Sequence, residues 1–153
     1  MAVKPIPDGY NSVTPYLIVK GAAAAIDFYM KAFGATEIMR MPMPGGKVGH
    51  AEIQIGDSRV MLADEYPEMG FVGPQTIGGA GVSLHLYVED VDKVASQAVA
   101  AGAKEMRAVK DQFYGDRSGT FEDPFGHVWN ISTHKEDLSM EEVGKRAKAA
   151  GMG

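Results

Sequence analysis

The sequence predicts an α+β fold built from two repeated β-α-β-β-β modules. Three observations carry this. Strand-like and helix-like segments follow one another in that order twice, matching residues of the two halves stand at a near-constant offset, and a Gly- and Pro-rich stretch separates them.

The first strand is TPYLIV, residues 14–19, a β-rich run. GAAAAIDFYMKAFGA follows with Ile26, Tyr29, Met30 and Phe33 at helical spacing and Gly34 as terminator. TEIMRMPM and KVGHAEIQI alternate as strands, Gly56-Asp57 makes a turn, and SRVMLA returns. The second half opens with SLHLYV, residues 83–88. EDVDKVASQAVAAGA is its helix, acidic at the start and closed by Gly102. KEMRAV, SGTFE and HVWNIST complete it as strands. Val19 matches Val88, Tyr16 matches His85, Gly56 matches Phe125 and Met61 matches Asn130, each at an offset of 69. FGATEIMR echoes AGAKEMR at 68, one residue of slack in the helix. The modules therefore take residues 12–65 and 83–135, with a linker at 66–82 expected to be an ordered but mobile loop. Residues 136–153 form a C-terminal helix and tail, with Ser139 and Glu142 at capping-box spacing.

Composition sets the function classes. With 45% hydrophobic and 23% charged residues the chain is a folded domain. A formal net charge of −5 speaks against nucleic acid and anionic membranes as partners. No apolar run reaches membrane-spanning length, and the amino terminus lacks a signal-peptide pattern. The absence of cysteine removes thiol nucleophiles, thiolate metal sites and disulfides, and fits a cytoplasmic protein. MPGGKVG lacks the context of a phosphate-binding loop.

The paired modules, AIDFYMKAFGA, and DPFGHVW before the last strand together resemble the vicinal oxygen chelate superfamily, which holds glyoxalase I, bleomycin-resistance proteins and extradiol dioxygenases. TPYLIVKGAAAAIDFY, GHAEIQIGDSRVMLADE and FYGDRSGTFEDPFGHVWNISTH are most similar to its PhnB-like branch, and the resemblance covers roughly residues 12–135. It implies a curved mixed sheet around a cup, helices outside, a small-molecule ligand or substrate, and a homodimer. Metal-dependent members take up to four ligands, from the first and last strand of each module. Carried over, these positions are Thr14, Met61, Ser83 and Asn130. Threonine, methionine, serine and asparagine are poor ligands for zinc, iron or nickel, so the usual metal site is not expected and no cofactor is predicted.

Side chains two apart in a strand share a face. Ser83, His85 and Tyr87 then lie opposite Leu84, Leu86 and Val88, and His50, Glu52 and Gln54 lie opposite Ala51, Ile53 and Ile55. The polar sets are expected to face the cup. The leading expectation is a metal-free pocket for a small organic molecule, with Tyr16, Met61, Tyr87, Tyr114, Arg117, Phe121 and Asn130 as ligand-binding residues beside His50, Glu52 and His85. In QFYGDRSG, Arg117 either clamps a carboxylate or phosphate with Tyr114 beside it or is held by Asp116 or Asp123, which stiffens the bend. The alternative is a metal-dependent lyase, isomerase or dioxygenase with a divalent metal on shifted ligands His50, Glu52 and His85, or one of these as a general base. Whether a reaction is catalysed stays open. Trp129 is expected in the core, His127 at a structural turn and His134 in a surface or tail contact. Met39, Met41 and Met43 read as an apolar strand face.

Overall fold

The computed structural model describes residues 2–151. The first module runs β1 (Tyr16–Val19), α1 (Ala22–Phe33), β2 (Thr36–Met43), β3 (Lys47–Ile55) and β4 (Ser58–Asp64). A short helix, α2 (Pro74–Ile77), follows within the stretch expected to be loop. The second module runs β5 (Ser83–Tyr87), α3 (Val91–Ala101), β6 (Lys104–Asp111), β7 (Asp116–Glu122) and β8 (Val128–His134), followed by α4 (Met140–Ala149). The expected order is thus present twice. Two four-stranded mixed sheets result, β1-β4-β3-β2 and β5-β8-β7-β6. In each, the first strand pairs parallel to the last while the other neighbours are antiparallel.

By contacts the chain divides into two units. The first takes the chain up to Ala80 together with Pro124–Gly126; the second takes Gly81–Asp123 and the chain from His127 onward. These bounds depart from the modules read in the sequence, because three residues of the β7–β8 turn group with the first unit.

In the first unit α1 buries Ala22, Ala25, Ile26, Phe28, Tyr29 and Ala32. Gly34 ends it at φ 67°, a left-handed conformation that glycine reaches without strain. Leu17 and Val19 of β1, Ala51, Ile53 and Ile55 of β3, and Val60 and Leu62 of β4 supply the sheet side of that core. Phe125 completes it, 6.3 Å from the Phe28 ring. In the second unit α3 buries Val91, Ala95 and Ala98, while Phe121, Trp129 and Ile131 are the buried hydrophobic residues of the sheet. In both units period-two alternation leaves the opposite sheet face polar and less buried. No helix among the described residues is long and apolar enough to cross a membrane.

Candidate functional site

Adjacent residues in register across the second sheet form a row: Arg107 on β6, Thr120 on β7, Asn130 on β8 and His85 on β5. One step along, Lys110 pairs with Ser118, Ser118 with Ser132, and Ser132 with Tyr87. Arg107 and Lys110 are three apart, and regular alternation would send them to opposite faces. The β6–β7 register shifts between them, so three steps on β6 match two on β7 and both cations stay on one face.

This face carries a cavity of about 780 Å³. His85, Arg107, Lys110, Thr120 and Asn130 line it from the two rows, Gln112, Phe113 and Tyr114 from the β6–β7 connection, and Ala150 from the end of α4. Its polar groups are fixed locally. The Thr120 hydroxyl donates to Asn130 Oδ1 at 2.9 Å, and Asn130 Nδ2 donates to Ser83 Oγ at 3.2 Å. Tyr114 Oη lies 3.3 Å from Ser118 Oγ.

The structure places Tyr114, Asn130 and His85 on this cavity. Tyr87 stands beside it, its ring centroid 4.8 Å from that of His85. Two expected ligand contacts need correction. Arg117 pairs in register with Thr133, and Phe121 pairs with Trp129, so both belong to the helix-facing side. Arg117 forks onto both carboxylate oxygens of Asp92, at 2.9 and 3.0 Å, and reaches Asp111 at 3.2 Å. Asp92 first, then Asp111, raise the guanidinium above its ordinary value. Phe121 is 1% exposed and serves the core. An offset of 69 sets Phe121 opposite Glu52, but the register makes Thr120 the counterpart, because Glu52 pairs with Met61 and Thr120 with Asn130.

Beside the cavity lies a network that sequence reasoning missed. Asp116, buried, accepts from the Tyr87 hydroxyl at 2.8 Å and from His134 Nδ1 at 2.7 Å. His134 Nε2 is 2.8 Å from Asp137. Both ring nitrogens therefore face carboxylates, an arrangement that suits the doubly protonated ring. Asp116 above all, with Asp137, raises the His134 pKa, and Asp116 likewise raises that of Tyr87.

The first sheet gathers the remaining candidates. Tyr16, Met61, Glu52 and Met39 form the corresponding row, with His50 paired to Met41 alongside. Tyr16 Oη is 2.7 Å from His50 Nδ1, and His50 Nε2 is 2.8 Å from Glu52 Oε2. In the tautomer that carries its proton on Nε2, the ring donates to Glu52 and accepts the phenol proton at Nδ1. Burial raises the Tyr16 pKa, which keeps that phenol protonated.

The metal positions implied by the fold can be tested on their own bonding. Asn130, the best oxygen donor of the four, spends its amide oxygen on Thr120 and its amide nitrogen on Ser83, a second member of the set. Thr14 precedes β1, and Met61 offers only a thioether. This donor set does not fit a divalent cation. In the shifted set, His50 and Glu52 bond each other while His85 belongs to the second sheet. Among the described residues no three His, Cys, Asp or Glu side chains gather as a cation site.

Comparison with known proteins matches residues 9–131 to the Glyoxalase/Bleomycin resistance protein/Dioxygenase superfamily. An uncharacterized protein of Mycobacterium bovis is 41% identical over 145 residues, covering 93% of this chain and 95% of that one. A gene product of Arabidopsis thaliana has a similar crystal structure, with a TM-score of 0.67 at 26% identity over 80% of this chain and 98% of that one. A PhnB protein from Bacillus cereus shares the fold, with a TM-score of 0.65 at 19% identity over 80% and 99%.

Proposed function

The chain belongs to the glyoxalase/bleomycin resistance protein/dioxygenase superfamily, and on that premise we propose that it binds a small organic molecule in the second-sheet cavity without the family's usual metal site. The observation that carries this reading is the cavity of about 780 Å³, of a size that takes a drug-like or metabolite-like molecule. Its aromatic wall at Phe113 and Tyr114 supplies apolar contact, and Thr120, Asn130 and Gln112 supply fixed polar groups. The same reading has the protein act in the cytoplasm as a homodimer; light scattering checks the dimer, and cell fractionation the compartment. A ligand at a hundred times its dissociation constant stabilises a fold by about 2.7 kcal/mol, readily seen as a thermal shift. Ala108, which lines the cavity, gives the control: Ala108→Trp fills it and should abolish the shift while the unliganded protein stays folded. A shift that survives this substitution would refute the cavity as the site.

A second reading rests on the Glu52–His50–Tyr16 chain. It supports general acid–base chemistry, with Tyr16 giving its proton to His50 Nδ1 as it takes one from a substrate, and Glu52 stabilising the resulting imidazolium. Tyr16→Phe should then lower turnover by about 10² to 10⁴. Under this reading an enolisable probe exchanges its α-hydrogen with deuterated water in the wild type but not in Tyr16→Phe. Equal exchange in both would remove it. The metal alternative on His50, Glu52 and His85 is tested by elemental analysis after dialysis, where His85→Ala should lose any retained ion.

A further inference from the structure

We propose that the ligand of the second-sheet cavity is an organic anion, an apolar body bearing a compact carboxylate or phosphate, seated between Arg107 and Lys110. This rests on the reading of that cavity as the ligand site and adds the ligand's charge class.

The charge of the wall is one-sided. Arg107 and Lys110 line the cavity and no aspartate or glutamate does, in a chain whose formal net charge is −5. Elsewhere the arginines of the second unit are occupied: Arg117 by Asp92 and Asp111, Arg146 by Glu136 and Glu142. Arg107 and Lys110 make no side-chain hydrogen bond or ion pair among the described residues. The nearest acidic neighbour in sequence, Asp111, is engaged by Arg117. Two unpaired cations brought to one face by a register irregularity are a focused positive field, which draws and orients an anion. The carbonyl end of α4 at Ala150 opposes this with about half a unit charge, less than either side chain brings.

The rest of the wall defines the other end of the ligand. Thr120 and Asn130 are bonded to each other and to Ser83, so they present a set orientation rather than free rotors. Phe113 and Tyr114 meet edge to face, ring centroids 5.3 Å apart, and give the wall its aromatic contact. An apolar body against these rings would leave its anionic head to Arg107 and Lys110. The corresponding row of the first sheet has the opposite character, Tyr16, Met61, Glu52 and Met39 with no cation. The anion preference therefore belongs to the second module.

Four probes of one shape and different head groups test this: benzoate, phenyl phosphate, benzamide and benzylamine, titrated calorimetrically into the full chain. Benzoate or phenyl phosphate should bind, the tighter of the two naming the head group. Benzamide should bind at least about tenfold more weakly, and benzylamine not at all. Anion affinity should fall as salt rises. Arg107→Met and Lys110→Met should each weaken anion binding about ten- to hundredfold, and the double variant should lose it. Both side chains are exposed, so the variants should fold, as circular dichroism would confirm. If benzamide or benzylamine binds as tightly as the anions, or the double variant keeps its anion affinity, the anion inference falls while the small-molecule reading survives. If no probe binds but neutral compounds stabilise the protein through the cavity, the outcome is the same. If neither these probes nor a broad neutral library stabilises the wild type, both readings fall.

Discussion

Asp116 shows how much a single residue can hide from sequence reading. It is one strand position from Arg117, the residue whose chemistry drew notice, yet it faces the other way. Its partners lie 29 and 18 residues off, at Tyr87 and His134. Nothing local marks such a contact, so His134 reads in the sequence as a tail residue. The structure makes it a pH-dependent tie. Its pKa is raised in the folded state, first by Asp116 and then by Asp137. A raised folded pKa gives stability fully present below the unfolded value of about 6.5 and lost as pH rises through the folded one. The stability difference between wild type and His134→Gln should therefore be largest below about pH 6.5 and shrink progressively as pH rises above it, as read by urea denaturation. A difference that grows with pH would contradict the tie. Arg117 gives the complementary prediction. Since it clamps α3 to β7 on the helix side, Arg117→Ala should leave small-molecule affinity within about twofold of wild type, because charge-assisted contacts to a ligand would cost far more.

At the scale of elements, each module holds the start of its own helix by a side chain of its last strand. Asp64 Oδ1 accepts from the backbone N–H groups of Gly21 and Ala22, at 2.8 and 3.0 Å, and its Oδ2 from that of Val48 at 2.7 Å. Thr133, at the offset of 69, accepts from Val91 N at 2.9 Å and donates to Val88 O at 2.8 Å. The need differs between modules. Asp90 caps α3 through Lys93 N, whereas Gly21 at the start of α1 has no side chain to offer. Asp64→Ala should accordingly cost about 2–3 kcal/mol and Thr133→Val about 1–2 kcal/mol, read as shifted denaturant midpoints with unchanged slopes. The element order, the offset and the faces of β3 and β5 were legible because regular strands obey a period of two. The two cations on β6 were not, because a register shift breaks that period and composition does not announce one. Phe121 was misplaced because the constant offset hides a one-residue difference: β8 pairs at 69 and β7 at 68, which leaves Phe121 beside Trp129 and Thr120 beside Asn130.

For the whole molecule, the turn that carries the family resemblance supplies residues to each unit's own packing. Asp123 accepts from His127 N at 3.0 Å and from Trp129 Nε1 at 2.9 Å, which fixes the ends of the turn within the second unit. The residues between, Pro124–Gly126, count with the first unit, where Phe125 packs 6.3 Å from Phe28 and 6.5 Å from Tyr29. The first unit's core is thus completed by a side chain that the sequence supplies about sixty residues after β4 ends. Removing a buried phenyl ring costs about 3–5 kcal/mol in transfer and cavity terms. Phe125→Ala should weaken the first unit by that amount. Trp129 is the one tryptophan in the chain and lies in the second unit, so its fluorescence reports that unit alone, whereas far-ultraviolet circular dichroism reports both. In Phe125→Ala, the dichroism transition should begin at lower denaturant than the Trp129 transition and become the broader of the two. Two coincident transitions at the wild-type midpoint would show that Phe125 contributes nothing to the first unit's core.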